Sequence, residues 1–256
     1  MHVLDYEGYL LDLDGTVYRG NEVIPEAVTF INWLINERKK FMFVTNNSSK
    51  TAEQAVDKLN SMSIPAKREH IFTSALMAAN HVQQMADHPV SAYIIGSTGL
   101  KVALEEVGVI ERDVNPDVVI VGIDRTFTYE KLEKASLALQ KGAKLIATNG
   151  DKMIPTERGF VPGNGSIVAA IEAASGAQAE IVGKPNPRFI EQAVSLLRTP
   201  PNRTLMIGDN YDTDIMAGIR ANVATLHVDT GVTRQADVHA KEIQPTHLIH
   251  SFTELF

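Results

Sequence analysis

The chain has 256 residues, which is enough for a large core and close to the length at which a second domain is expected. Hydrophobic residues make up 44 % and charged residues 21 %, as is usual in globular proteins, and the formal net charge is −7. This acidic balance, without a basic run, argues against nucleic acid or an anionic membrane as a partner. The chain has no cysteine, which excludes disulfides and thiolate metal sites and fits a reducing compartment.

The N-terminal residues do not resemble a targeting segment. Residues 1–14 carry four acids and no lysine or arginine, which is not the pattern of a secretory signal peptide. No stretch approaches the ~20 apolar residues that a membrane-spanning helix needs. We therefore expect a cytoplasmic protein without a membrane partner.

Short apolar runs alternate with amphipathic stretches along the whole chain, and this rhythm predicts alternating strands and helices. Pro25 suits the first position of a helix, and Thr51 and Gln54 have the spacing of a capping box. The predicted strands lie at 8–13, 40–44, 91–96, 117–122, 143–148, 179–183, 203–208, 223–228 and 247–249. The predicted helices lie at 25–38, from 51, at 74–86, 98–107, 128–141, 165–175, 187–197 and 213–220, and from 251.

The alternation of apolar strands with helices predicts an α/β protein with a doubly wound parallel sheet. Such strands are covered by helices on both faces, which explains why their apolar runs are continuous. In open parallel sheets, ligands bind outside the carboxyl ends of the strands. The residues that follow each predicted strand are therefore the first candidates for a functional site.

Polar clusters follow four of the predicted strands. Asp12 and Asp14 lie at the end of the first strand, and the hydroxyl and amide side chains of 45–49 follow the second. Lys184 follows the strand at 179–183, and three aspartates follow the strand at 203–208. These clusters can converge only if the four strands are neighbours in one sheet, and we expect that they are.

The chemistry of these clusters favours phosphoryl transfer. Carboxylates without histidine or cysteine suit a hard cation, and Mg²⁺ is the first candidate. A lysine and a hydroxyl are donors for a phosphate group, and a carboxylate can attack phosphorus to give an aspartyl-phosphate. The cation and Lys184 would offset the repulsion between an anionic nucleophile and an anionic substrate.

Asp14 is suited to a different role from that of Asp12. It can protonate the leaving-group oxygen and later take a proton from water, if burial or a neighbouring anion raises its pKa. A structural explanation is also open, because Asp-Gly is common in turns and Asp caps helices. Asp212 is better explained as a helix N-cap than as a ligand.

All four clusters resemble the motifs of one known family. The stretch DLDGTV at 12–17 resembles the first motif of the haloacid dehalogenase-like phosphatases, and TNNS at 45–48 resembles the second. Lys184 matches the third motif, and GDNYDTD at 208–214 matches the fourth. The amino-acid sequences of these motifs are most similar to those of the NagD-like subgroup, and within it to those of the acid sugar phosphatases.

The resemblance implies a fold, a domain organisation and an activity. It implies a Rossmann-like core formed by 1–84 and 180–256, with a large α/β cap domain for substrate specificity inserted at 85–179. It implies a Mg²⁺-dependent phosphatase that hydrolyses small phosphorylated sugars or sugar acids. Members of the family often form homodimers, so a homodimer is an open expectation here.

The resemblance also implies roles for individual residues. Asp12 would be the nucleophile and a metal ligand, and Asp14 the acid and base, a metal ligand through its backbone carbonyl and a contact of the substrate phosphate. Asp209 would be the third metal ligand. Asp214 would orient metal-bound water or Lys184 from outside the ligand set. The remaining phosphate ligands would be Thr45, Asn46 and Lys184.

Several other functions remain open at this stage. A nucleotidase or a pyridoxal-phosphate phosphatase would use the same motifs. A signalling receiver module, which also phosphorylates an aspartate, would need no second aspartate at position 14 and would be about half as long. A sugar-phosphate-binding protein without turnover, a mutase and a dehalogenase fit less well.

The region from 147 to 168 predicts a long loop that leads into a helix. Gly163 and Gly165 are explained better by the start of that helix than by a close approach to a ligand. Arg125, Lys152 and Arg158 could hold a substrate carboxylate, although each is more simply explained as a surface charge.

Overall fold

The computed structural model describes residues 1–156 and 158–256 and shows a mixed α/β protein. The strands are β1 (Gly8–Leu11), β2 (Tyr18–Arg19), β3 (Glu22–Val23), β4 (Lys40–Thr45), β5 (Ile71–Thr73), β6 (Ser91–Ile95), β7 (Ile110–Glu111), β8 (Val118–Val121), β9 (Lys144–Ala147), β10 (Met153–Thr156), β11 (Gly159–Pro162), β12 (Glu180–Ile181), β13 (Thr204–Gly208), β14 (Ala224–Val228) and β15 (His247–Ile249). The α-helices are α1 (Pro25–Asn36), α2 (Ala52–Ser61), α3 (Ser74–Gln83), α4 (Thr98–Glu106), α5 (Tyr129–Gln140), α6 (Asn164–Ser175), α7 (Pro187–Leu197), α8 (Met216–Arg220) and α9 (Gln235–His239). The predicted α/β fold class is confirmed.

A six-stranded sheet has the order β15-β14-β13-β1-β4-β5. Strand β1 lies in its middle and pairs in parallel with β13 on one side and β4 on the other, with Gly8 opposite both Thr204 and Lys40. All four residues of β1 are buried, as expected for a strand covered on both faces. The carboxyl ends of β13, β1 and β4 therefore lie side by side.

Helix α1 contributes the aromatic part of the core beside this sheet. The helix begins at Pro25, as predicted, and buries Phe30, whose ring stacks on Phe252 at a centroid distance of 5.2 Å. Trp33 lies on the same face of the helix. Its ring packs against those of Phe30 and Tyr9, while part of it reaches the surface. The helix is therefore amphipathic, as the sequence predicts for the stretches between the apolar runs.

A second, five-stranded sheet has the order β12-β9-β8-β6-β7, and all of its strand pairs are parallel. Helices α5 and α6 pack against each other and cover it. The core here is aliphatic and includes Val119 and Val121 of β8 and Ile171 of α6. Strand β12 belongs to this sheet, so the expectation that it neighbours β1, β4 and β13 is wrong.

The chain forms two compact units. The first comprises Met1–Thr45, Ala55–Phe72 and Lys184–Phe256, and the second comprises Asn46–Gln54 and Thr73–Gly183. Each unit contains one of the two large sheets. The chain passes from one unit into the other directly after Thr45 and directly before Lys184, two residues that the sequence analysis selected for the site. The predicted domain boundaries stay a prediction.

Two local predictions have clear outcomes. The capping box at the start of α2 is confirmed, because the Thr51 backbone N–H donates to Gln54 Oε1 at 3.0 Å and the Gln54 N–H donates to Thr51 Oγ1 at 3.2 Å. Within 147–168, the structure has an antiparallel hairpin of β10 and β11 where the sequence predicted only a loop. Glu157, which lies in this stretch, is outside the described residues.

The start of α6 explains why this stretch is rich in glycine. Gly163 is the N-cap residue, and Gly165 lies in the first turn, where its N–H donates to the Asp151 carbonyl at 2.9 Å. A Cβ on Gly165 would collide with the backbone carbonyl of Gly150. The prediction that these glycines serve the helix start is confirmed.

Among the described residues, no helix combines the length and apolar character needed to cross a bilayer.

We predict that Gly165→Ala destabilises the protein by about 1–3 kcal/mol, because the new methyl group displaces the 150–151 backbone. Urea unfolding would measure the change. Gly150→Ala is the matched control, since its Cβ would meet only Ile181 at an ordinary distance of 3.8 Å. Equal effects of the two substitutions would contradict the collision as the cause.

Candidate active site

Three of the selected side chains lie at one edge of the six-stranded sheet. Asp12 directly follows β1, Thr45 ends β4, and Asp209 directly follows β13, and these three strands are neighbours. All three residues are buried. Because parallel strands point the same way, their carboxyl ends meet at this edge and bring the polar residues together.

Lys184 reaches this edge by a different route from the one expected. It lies three residues before α7, which packs against β1 and β4 in the first unit. The helix begins after Asn186, whose side chain accepts a hydrogen bond from the Arg188 N–H. The packing of α7, and not a strand of the same sheet, therefore places Lys184.

The Lys184 ammonium is enclosed by three oxygen acceptors. Its Nζ donates to Asp12 Oδ1 at 2.6 Å, to Asp214 Oδ1 at 2.7 Å and to the Val44 carbonyl at 2.9 Å. Only 1 % of the side chain is exposed. Burial by itself would lower the pKa of Lys184, but the two carboxylates outweigh it and raise the pKa above its usual value. The lysine therefore remains charged.

Three buried carboxyl groups crowd around this lysine. Asp12, Asp209 and Asp214 each have an oxygen within 4.8 Å of the others. Burial raises the pKa of Asp12 well above its usual range, Lys184 opposes that shift, and Asp214 and Asp209 add to it. Burial, followed by the charge of Asp214, raises the pKa of Asp209 to about 6. One lysine cannot neutralise three acids, so the donor set fits a divalent cation bound by oxygen.

Asp209 is held on both of its oxygens. Thr16 Oγ1 donates to Oδ1 at 2.9 Å, and the Val232 backbone N–H donates to Oδ2 at 2.7 Å. Gly15 has φ +97°, and a Cβ there would lie 2.5 Å from Asp209 Oδ2. The Asp-Gly-Thr sequence thus has a local reason: the glycine allows the approach, and the threonine supplies a donor.

Asp14 lies in a different environment from that of Asp12. Asp14 is exposed, whereas Asp12 is buried, because the chain leaves the regular strand after Leu11 and turns between the two acids. The backbone of Asp14 forms a bridge with Tyr18. Burial raises the pKa of the Tyr18 hydroxyl, and the nearby Asp14 carboxylate raises it further. The two acids of the first motif are therefore suited to different chemistry.

The fourth cluster has one buried and one surface aspartate. Asp214 is buried and accepts a second hydrogen bond, from the Asn210 N–H to Oδ2 at 3.1 Å. Asp212 is exposed and pairs with Lys241 at 3.0 Å. The residue that caps this turn is Asn210, whose side chain accepts from the Asp212 N–H, so the prediction of Asp212 as the N-cap is wrong.

Asn46 lies in the second unit and has an acidic partner that the sequence analysis missed. Its Nδ2 donates to Asp151 Oδ2 at 3.1 Å, and the same oxygen accepts from Asn149 Nδ2 at 2.5 Å. The Asn46 carbonyl accepts from Ser74 Oγ at 2.6 Å. Asp151 lies four residues after the end of β9. The expectation that ligands bind at the carboxyl ends of parallel strands, applied to the second sheet as well, would have selected it.

The three basic side chains that could hold a substrate carboxylate lie at the surface. Arg125, Lys152 and Arg158 are all exposed, and their predicted contact with a substrate carboxylate stays a prediction.

A second group that the sequence analysis missed is the loop 229–233, which includes Val232 and directly follows β14. Inspection of every strand end, and not only the most acidic ones, would have selected it.

The fold and the site define an α/β phosphoryl-transfer enzyme with buried carboxylates and a buried lysine at the carboxyl edge of a parallel sheet. A family model described as haloacid dehalogenase-like hydrolase matches residues 9–110, and one described as HAD-hydrolase-like matches 181–255. The relatives include 5'-nucleotidase YutF of Bacillus subtilis, 48 % identical over 97 % of each chain. An acid sugar phosphatase of Staphylococcus epidermidis is 45 % identical over 98 % of this chain and 95 % of its own.

Solved structures of relatives have the same fold. A double mutant of the thermostable NPPase of Geobacillus stearothermophilus has 51 % identity and a TM-score of 0.91 over 97 % of each chain. NagD of Escherichia coli has 30 % identity and a TM-score of 0.91 over 99 % of this chain and 98 % of its own. A glycerol phosphate phosphatase of Mycobacterium tuberculosis, in complex with magnesium, has 33 % identity and a TM-score of 0.92 over 98 % of this chain and 76 % of its own.

The chain belongs to the haloacid dehalogenase-like hydrolases, and within them to the NagD-like subgroup. It is a phosphoric monoester hydrolase, as its relatives are. The resemblance drawn from the four motifs is thereby confirmed.

We predict that Lys184→Met destabilises the metal-free protein by about 3–5 kcal/mol, because Asp12 and Asp214 lose their buried counter-charge. Urea unfolding at neutral pH in the presence of a chelator would measure the change. Adding Asp214→Asn to this variant should recover part of the loss, because one of the two uncompensated carboxylates is then neutral.

Lys241→Met is the matched control, since it breaks the exposed ion pair with Asp212 and should cost no more than about 1 kcal/mol. A Lys184→Met variant as stable as this control would show that the buried ion pairs contribute no net stability.

Proposed function

We propose that the protein is a Mg²⁺-dependent phosphatase that hydrolyses small phosphomonoesters through an aspartyl-phosphate on Asp12. The observation that carries this proposal is the position of Asp12, buried at the carboxyl end of the central strand and fixed by Lys184 at 2.6 Å. A carboxylate held by a charged lysine beside two further acids has the parts that phosphoryl transfer requires.

Lys184 and Thr45 would bind the substrate phosphate. The lysine carries a positive charge to the sheet edge, and Thr45 supplies a hydroxyl at the end of the neighbouring strand. We propose that Asn46, the next residue of the chain, is a further donor to the phosphate, as the resemblance to the second motif implies. Asp214, which accepts a hydrogen bond from Lys184, would keep the ammonium aimed at this edge.

Asp12, Asp209 and the backbone carbonyl of Asp14 would hold the cation. When bound there, Mg²⁺ supplies positive charge that offsets the repulsion between the carboxylates and the phosphate dianion. An oxygen of Asp12 attacks phosphorus, the bond from phosphorus to the ester oxygen breaks, and the phosphoryl group is transferred to Asp12. Water then attacks phosphorus, and inorganic phosphate leaves as the Asp12 carboxylate is restored.

Asp14 would transfer the protons in both steps. In the first, its carboxyl group donates a proton to the ester oxygen as the alcohol leaves. In the second, its carboxylate takes a proton from the attacking water. The exposed position of Asp14, beside the buried Asp12, suits a group that has to meet both the leaving alcohol and water.

We propose sugar phosphates or acid-sugar phosphates as the substrate class, as the names of the staphylococcal relatives suggest. The relative at 48 % identity is named a 5'-nucleotidase, which favours nucleoside monophosphates as the second candidate. A pyridoxal-phosphate phosphatase remains the third. Because the motifs are common to all three, we propose that the inserted region, expected at 85–179, decides among them.

The other expectations from the sequence remain proposals. The partner would be a small phosphorylated metabolite, without nucleic acid or a membrane, and the protein would be cytoplasmic. The homodimer stays an open expectation. The net charge of −7 supports the absence of a nucleic-acid partner.

We expect Mg²⁺-dependent phosphate release from at least one class in a panel of sugar phosphates, acid-sugar phosphates, nucleoside monophosphates and pyridoxal phosphate. Asp12→Asn should lower kcat at least about 1,000-fold, because an amide is not a nucleophile toward phosphorus. A chelator should abolish turnover, and added Mg²⁺ should restore it.

Asp212→Asn is the control, because this carboxylate lies at the surface and pairs with Lys241. Its turnover should stay within about twofold of that of the unsubstituted protein. Retention of activity in Asp12→Asn would refute the nucleophile, and no release from any ester would refute the phosphatase.

We predict that Asp14→Asn separates the two steps when 4-nitrophenyl phosphate is the substrate. Nitrophenolate leaves without a proton, so one equivalent should appear in a burst, and the phosphoenzyme should then persist because water lacks its base. Rapid-mixing absorbance would show the burst, and intact-protein mass spectrometry would show one added phosphoryl group. Steady turnover at the unsubstituted rate would exclude Asp14 as the base.

A further inference from the structure

The loop at 229–233, called the β14 loop below, contacts two of the motif segments. Its Val232 N–H donates to Asp209 Oδ2 at 2.7 Å, and its Thr233 N–H donates to the Asp209 carbonyl at 3.1 Å. A Cβ on Gly231 would collide with the Asp209 carboxylate. The sequence DTGVT therefore packs directly on one of the proposed metal ligands, with no room for a larger residue at its centre.

The same loop also binds the first motif. Thr230 is 8 % exposed, and its Oγ1 donates to the Gly15 carbonyl at 2.6 Å. The Arg19 Nε in turn donates to the Thr230 carbonyl at 2.6 Å. Thr230 is thus held from both sides, and its hydroxyl points at the residue that follows Asp14.

Gly15 is the point at which the first motif would otherwise be free to rotate. Its φ of +97° is open to glycine, which has the fewest backbone restraints of any residue. The Gly15 N–H, in the peptide that follows Asp14, donates to the Tyr18 carbonyl at 2.7 Å. The next peptide is held through the Gly15 carbonyl by Thr230. The Thr16 N–H of that peptide also donates to the Leu13 carbonyl, at the longer distance of 3.2 Å, so these hydrogen bonds together fix both peptide planes beside the glycine.

We propose that Thr230 is a positioning residue for Asp14, acting through the Gly15 carbonyl. The β14 loop sets the distance between the first-motif turn and Asp209, because it is bonded to both. Loss of the Thr230 hydroxyl removes the hydrogen bond to the Gly15 carbonyl and leaves that peptide held only by the longer Thr16 N–H bond, so Asp14 samples orientations from which it cannot reach the ester oxygen. This inference rests on the proposed role of Asp14 as the acid and base.

The test compares Thr230→Val, which keeps the shape and removes the hydroxyl, with Thr230→Ser, which keeps the hydroxyl. The substrates are an alkyl phosphate, whose leaving oxygen needs a proton, and 4-nitrophenyl phosphate, whose leaving oxygen does not. Thr230→Val should lower the rate of phosphoenzyme formation from the alkyl phosphate about tenfold or more, and that from 4-nitrophenyl phosphate by a much smaller factor. Thr230→Ser should restore most of the loss.

Thr233→Val is the comparison variant in the same loop. Its hydroxyl accepts a hydrogen bond from the N–H of Tyr211, a residue of the fourth motif and not of the first. Any effect of this variant should be the same for both substrates. Equal losses on the two substrates in Thr230→Val would overturn the proposal, because they would show a general disturbance of the site.

The Asp14→Asn variant separates this proposal from the proposed function. If Asp14→Asn shows the dependence on leaving group and Thr230→Val does not, the positioning role is wrong and the role of Asp14 stands. If Asp14→Asn also shows none, the acid role of Asp14 fails, and the positioning role fails with it.

A readout without turnover uses hydrogen exchange of the peptide that covers 12–19. Exchange should be faster in Thr230→Val and unchanged in Thr230→Ser, since the hydroxyl restrains Gly15 in the folded protein. Unchanged exchange in Thr230→Val would overturn the proposal.

Discussion

The enclosure of the Lys184 ammonium by Asp12 and Asp214 is the interaction on which the site depends. Buried carboxylates repel one another, and without a counter-charge they would bind protons and lose their chemistry. The lysine offsets part of that charge and fixes the direction of two of the acids through hydrogen bonds of 2.6 and 2.7 Å. The remaining negative charge suits a divalent cation, so the crowding that opposes folding also shapes the candidate site.

The sheet order makes this enclosure possible. Strand β1 lies between β13 and β4, so the ends of three strands deliver Asp12, Asp209 and Thr45 to a single edge. The loops at that edge are closely packed, and glycine occurs where a side chain would collide with Asp209, at Gly15 and at Gly231. Much of the glycine in these motifs therefore serves the close approach of backbone to a carboxylate and not flexibility.

The second unit also has a cluster of polar residues at the carboxyl end of a parallel strand. Thr148 and Asn149 follow β9, and Asp151 accepts hydrogen bonds from Asn149 and from Asn46. Asn164 at the start of α6 adds bonds to the Asn149 carbonyl and to Thr148 Oγ1. This network therefore orders Asn46 and its neighbours within the second unit.

The sequence by itself determined the alternation of strands and helices, the α/β class and four of the polar strand ends, because apolar periodicity and motif spacing are local properties. It also identified the pairing of Thr51 with Gln54 and the helix start at Gly163, which depend on neighbouring residues. Tertiary structure decided which strands are neighbours: β12 joined the second sheet, and the packing of α7 placed Lys184. It also decided the partners of Asp209. Thr16 lies 193 residues away along the chain, and Val232 of the β14 loop donates through its backbone N–H, which the residue type does not reveal. Such contacts arise from packing between distant segments, which no local pattern in the chain encodes.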